Sequence, residues 1–124
     1  MGGWTAQNKQ ALQDRLIRFA VMTISVSTKL SSDRVGLNLG NQLVRSGTSP
    51  ALNYAEAMGA ESPKDFIHKI KIVLKELRET AVCLKILAEI SYFPDNQEVH
   101  DECNQLIAIF VTSIVTARRN SVKK

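Results

Sequence analysis

The feature that most constrains this chain is an apolar repeat running from Phe66 to Ala88. Phe66, Ile70, Val73, Leu77, Ala81, Leu84 and Ala88 recur at spacings of three and four, the period of a helix face packed along its whole length against other helices. A strand would need a period of two, which no segment sustains. The start of this helix is written in Ser62-Pro63-Lys64-Asp65. Serine offers an oxygen to an orphan amide, proline sits at the first position where its missing N–H matters least, and an acid follows at the third.

The same period sets out three more helices. In the first, about 5–30, Leu12, Leu16, Phe19, Val26 and Leu30 form the stripe, and Ile17, Val21 and Ile24 widen it. In the fourth, about 96–120, Val99, Cys103, Leu106, Phe110, Ser113 and Ala117 repeat, with Ile107, Val111, Ile114 and Val115 as a second flank. The second and third helices are expected at about 33–59 and 63–91, with Ser31-Ser32-Asp33 and Asp95 to Glu98 as further start signals. Links of a few residues between helices roughly 37 Å long leave only antiparallel neighbours. The expectation is one all-α domain over residues 1–124, an antiparallel up-down-up-down four-helix bundle. Cys83 and Cys103 lie inside apolar patterns and read as reduced core thiols. No apolar run approaches the roughly 18 residues of a membrane span, and the first residues lack a signal-peptide pattern. A cytoplasmic protein without membrane contact is expected.

Helix two departs from the pattern. Gly36, Gly40, Gly47 and Pro50 all fall within it, costing about 1 kcal/mol per glycine and about 3 for the proline. Close packing must compensate, and a kink is expected near Ser46, one turn before Pro50. Ser46, Ser49, Asn53 and Glu56 then form a polar stripe down one face. Such a stripe must meet water, a partner subunit or a ligand, and a hydrogen-bonding ladder to another helix or chain is expected of it.

The run Arg45-Ser46, Ser49, Asn53 and Ala55-Glu56, then Glu61-Ser62, Asp65-Phe66 and Lys75-Glu76-Leu77-Arg78-Glu79, resembles the four-helix-bundle family of 23S ribosomal RNA intervening-sequence proteins. It is similar also to the accessory variability proteins of diversity-generating retroelements. The resemblance extends over about residues 11–119 and makes Arg45, Ser46, Ser49, Asn53, Glu56, Ser62, Asp65 and Phe66 a structural motif. It implies a small bacterial protein that assembles into a homopentameric ring. The retroelement members bind nucleic acid and a reverse transcriptase, whereas the intervening-sequence members have no settled biochemical role. Pro50 departs from the pattern, which more usually has an aliphatic residue there.

Charge gives the functional reading its residues. The net charge is only +4, but Lys64, His68, Lys71, Lys75 and Arg78 repeat at helical spacing about 200° from the Phe66 to Ala88 seam, so the row faces outward. Helix one adds Arg15 and Arg18, and Arg118 and Arg119 close helix four. Arg15, Arg18, Lys64, Lys71, Lys75, Arg78, Arg118 and Arg119 are therefore the candidate nucleic-acid contacts. No aromatic residue interleaves with them, which favours phosphate contact over base stacking. Asp95, Glu98, Asp101 and Glu102 at the start of helix four, against the arginines at its end, complement the helix dipole.

Catalytic patterns are missing. His68 and His100 lie on different helices, no Glu-x-x-His pair occurs, the glycines fit no phosphate loop, and Ser46 and Ser49 have no base at a readable distance. No enzyme, cofactor or metal is expected. The leading reading is a non-enzymatic, self-assembling, nucleic-acid-binding accessory bundle. Its subunit interface would be built from Ile17, Val21, Ile24, Ile107, Val111 and Val115. The alternative is a scaffold that docks a reverse transcriptase or other partner without touching nucleic acid. A third is a small-molecule site at the polar stripe. Trp4 is expected to pack over the bundle end or a neighbouring subunit.

Overall fold

The computed structural model describes residues 6–122, so Trp4 and the last two lysines lie outside the described residues. It holds four α-helices in chain order: α1 Ala6–Thr28, α2 Arg34–Met58, α3 Pro63–Glu89 and α4 Gln97–Val122. Starts are set by the cap chemistry. Ser62 Oγ accepts from the Asp65 amide at 3.0 Å, and Asp33 Oδ1 accepts from the Gly36 amide at 2.8 Å while Ser31 Oγ donates to it. Asp33, the last of the three candidate residues, is thus the cap of α2. Its anionic form is favoured by these bonds, which hold its carboxyl below the usual range.

Consecutive helices pack extensively, whereas α1 and α4 meet only lightly. The register between α2 and α3 is antiparallel: Glu56 meets Lys69, Arg45 meets Glu79 and the Cys83 thiol points at the Leu39 carbonyl. Where α1 and α4 do meet, Arg15 forks onto Glu102 from Nε at 2.8 Å and Nη2 at 2.7 Å. Across the bundle, Tyr54 of α2 and Phe110 of α4 pack edge to face with centroids 5.7 Å apart.

All the α3 seam positions are buried except Ala88, whose neighbour Leu87 is the core residue of the last turn. All six α4 positions are buried. On α1 the stripe is Leu12, Leu16, Phe19 and Val26, and Leu30 follows the helix end, half-buried. Between Phe19 and Val26 the core residue is Thr23, fully buried, whose hydroxyl donates to the Ala20 carbonyl at 2.7 Å. Both cysteines are free and buried, and burial pushes the Cys103 thiol up to about 12. The Cys103 thiol donates to the Leu77 carbonyl at 3.2 Å.

The glycines of α2 divide into distinct roles. A Cβ built on Gly47 falls inside contact distance of the Oγ1, Cγ2 and Cβ atoms of Thr23, so the backbone of α2 lies close against α1 there. At Gly36 it would collide with the Ser31 backbone. At Gly40 the nearest atom is Ser27 Cβ at 3.6 Å, an ordinary contact.

The polar stripe of α2 runs from the interior to the surface, with Ser46 buried, Ser49 and Asn53 half-buried and Glu56 exposed. Ser46 is fully buried and donates to the Gln42 carbonyl at 3.1 Å. Asn53 Nδ2 donates to the Ser49 carbonyl and hydroxyl at 3.0 and 2.8 Å. The expected ladder to another helix is therefore closed within α2, except at Glu56, which reaches Lys69 Nζ at 3.2 Å. Small hydroxyls satisfied by their own preceding turn need no outside partner. Facing the stripe, Glu76 of α3 is buried, with Oε2 3.9 Å from Arg45 Nη1 and without a hydrogen bond. Burial, then neighbouring Glu79, pushes its carboxyl above the usual range, against the pull of Arg45.

Two predictions follow from this packing. Gly47→Ala forces α1 and α2 apart and is expected to cost about 1–3 kcal/mol, while Gly40→Ala is neutral or stabilises by up to about 1 kcal/mol; urea unfolding of both variants checks the order. The second concerns Glu76, whose native form keeps a proton that the unfolded chain releases near pH 4.3. Stability then falls as pH rises from about 4.3 through the raised native value. Glu76→Gln is expected to raise the urea midpoint at pH 7 and to match wild type at pH 3.5, and equal midpoints at pH 7 would refute this.

Candidate nucleic-acid interface

With the seam of α3 locked into the core, the opposite face of the helix is necessarily outside. Lys64, His68, Lys71, Lys75 and Arg78 are all exposed, as the outward row requires. Arg118 of α4 is brought beside them: Lys71, Lys75, Arg78 and Arg118 line one shallow groove of about 870 Å³ that crosses the outer face of α3 between α2 and α4. Among the described residues the groove has one lining carboxylate, Glu79, and Arg45 Nη2 already reaches it at 3.4 Å.

The remaining candidates are placed elsewhere. Arg15 is engaged by Glu102, and its Nη2 also donates to Gln105 Oε1 at 2.9 Å. The hydrogen bond to Glu102 raises its pKa further. Arg15 is thus a clamp between α1 and α4 and not a free cation. Arg18 is exposed on α1 and Arg119 on α4, and neither lines the groove. Lys64 is exposed in the first turn of α3, beyond the groove residues.

What the sequence reading missed is the floor. Val82 and Ile86 continue the α3 face after Arg78, near Leu39 of α2, while Val111, Ile114 and Val115 of α4 line the groove toward its Lys71 end. The signal was available, because the outward row continues after Arg78 into Val82, and Ile86 follows one turn on, beside Lys85. Val111 and Val115, expected to join α1 residues in a subunit interface, line this groove beside α3 and are exposed, and Ile107 does not line it. Ile17, Val21 and Ile24 of α1 remain exposed at 48%, 59% and 42%. At 100° per residue they fall on the flank that carries Gln13, Ala20 and Ser27, the flank from which Gln13 Nε2 donates to the Ala51 carbonyl of α2 at 3.0 Å. The two apolar flanks are separate patches at different helix pairs.

Among the described residues no group of three or more His, Cys, Asp or Glu side chains could hold a metal ion, and no helix is long and apolar enough to cross a membrane. The motif residues Arg45, Ser46, Ser49, Asn53 and Glu56 line the α2 side of the α2–α3 seam, and Ser62, Asp65 and Phe66 start α3. None of them lines the groove.

Comparison with known proteins agrees with this architecture. A crystal structure of a protein of unknown function from the S23 ribosomal protein family of Bacteroides thetaiotaomicron superposes with a TM-score of 0.77 at 29% sequence identity, covering 86% of this chain and 96% of that one. No curated protein matches the sequence. The family model for the 23S rRNA-intervening sequence protein matches residues 8–112, which takes in the polar stripe, the α3 seam, the groove cations of α3 and most of α4. A match over that length, joined to the same fold, means that this chain belongs to the family of 23S rRNA-intervening sequence proteins.

Proposed function

We propose that this bundle is a non-enzymatic, self-assembling accessory protein that holds nucleic acid by its phosphate backbone. The observation that carries the reading is the convergence of Lys71, Lys75, Arg78 and Arg118 on one face, with Lys64 about two turns beyond Lys71 and Glu79 as the one groove carboxylate among the described residues. Cations concentrated on one surface bind a polyanion by releasing its counterions, whatever its sequence. Self-association is assigned to the α1 ridge of Ile17, Val21 and Ile24, since isolated surface valines are ordinary but a contiguous exposed ridge marks a contact surface. Assembly repeats the cationic face and multiplies the phosphates that one particle meets.

Titration with a labelled 20-base-pair duplex at 50 mM salt tests the phosphate reading. Wild type is expected to bind with an affinity that falls steeply with salt, and reversing charge at Lys71, Lys75 and Arg78 should weaken binding at least tenfold and reduce the salt slope by about 2 to 3. A duplex that fails to associate, or a slope unchanged by the reversal, would sink it. Light scattering tests assembly separately. A species heavier than the monomer at micromolar concentration is expected, reduced toward monomer by Val21→Glu; a wild-type monomer overturns the self-association.

A further inference from the structure

The groove holds more than a phosphate backbone can use. Its floor exposes Val82 and Ile86 at 55% and 45%, and Val111 and Val115 at 39% and 49%, beside the nearly buried Leu74 and Ile114. From Lys71 to Ile86 the groove wall is about 22 Å long at 1.5 Å per residue, the length of four helical turns. Phosphates engage cations but make no match to aliphatic side chains, so nucleic acid alone accounts for the rim and not for the floor. An occupant that satisfies both needs an apolar stripe flanked by carboxylates.

A second copy of the chain does not supply it. The exposed ridge of α1 has Arg18 beside it, and the carboxylate of Asp14 on that helix accepts from Gln10 at 2.9 Å. The acidic start of α4 carries Asp95, Glu98 and Asp101, but its apolar residues Val99 and Cys103 are buried and Tyr92 is the exposed aromatic nearby. Acid and apolar stripe thus occur apart on this chain, and a copy would bring more positive charge toward the rim.

We propose that the α3–α4 groove is a docking site for an acidic amphipathic helix of a partner protein. Leucine-like side chains at helical spacing lie on Val82, Ile86, Val111 and Val115, while flanking carboxylates pair with Lys71, Lys75, Arg78 and Arg118. This is the helix-in-groove mode of recognition, in which apolar anchors supply affinity and the charged rim selects the partner. The docking stands on the floor and is independent of nucleic acid; its corollary, that helix and phosphates compete for one set of cations, rests on the phosphate reading above. A partner helix would then act as a release device for bound nucleic acid.

The test uses the full chain and two fluorescent synthetic peptides of one composition, 16 residues of leucine, alanine and glutamate. One places leucine at every third and fourth position between glutamates, and the other is scrambled to abolish the stripe. Anisotropy is expected to show the amphipathic peptide binding at least tenfold more tightly than the scrambled one. Val82→Gln with Val115→Gln, neutral changes at exposed positions, should abolish that difference and leave the affinity for duplex unchanged. Equal binding of the two peptides, or indifference to the glutamine pair, means a polyanion surface only and overturns the proposal. So does a glutamine variant that changes the oligomer mass while neither peptide binds, because the groove then belongs to a second copy. Peptide preference without any duplex binding supports the docking site and removes only the phosphate reading.

Discussion

The rotation of α3 about its own axis decides most of what this molecule presents to solvent. Phe66, Ile70, Val73, Leu77, Ala81 and Leu84 are buried between α2 and α4, and each makes any other rotation costly, since turning the helix would expose several large side chains at about 1.5–3 kcal/mol each. The outward residues have no freedom of their own. Lys71, Lys75 and Arg78 face out because the seam faces in, and the cap at Ser62 fixes where along the bundle they stand.

The second helix shows how the constraint is passed on. Gly47 lets α1 approach closely enough for Thr23 to be buried against it, and this close contact accounts for a glycine that helix propensity disfavours. Elsewhere α2 carries short polar groups satisfied within the helix, beside the large buried side chains of Leu43 and Tyr54. Arg45 sits at the edge of the α2–α3 seam and restrains Glu79 from within the groove.

Much of the fold was legible because its determinants are local. Seam, caps and short links depend on residues three or four apart, and they placed four helices and nearly the whole core. Three things depended on relations across the bundle and were not legible. Arg15 has the exposed spacing of a free cation on α1, and only the approach of Glu102 from α4 turns it into a clamp. The stripe of Ser46 to Glu56 looks costly as a pattern, and its self-satisfied hydroxyls become visible only with the rotamers. Val111 and Val115 look like an extra flank of α4, and the identity of the facing helix is a matter of packing order.

The candidate site was legible by half, and the missing half changes its chemistry. A basic row on an isolated helix describes a surface for polyanions, because charge at long range is all the row contributes. The row and Arg118, sharing one groove with Val82, Ile86, Val111 and Val115, describe a surface with two requirements, and affinity for any one ligand depends on meeting both. Water over the exposed valines is displaced at a gain of roughly 25 cal/mol per Å² of apolar area covered, a contribution that salt does not screen. The rim contribution weakens as ionic strength rises. A ligand that uses both keeps part of its affinity at physiological salt, where a purely phosphate-bound ligand loses most of its own.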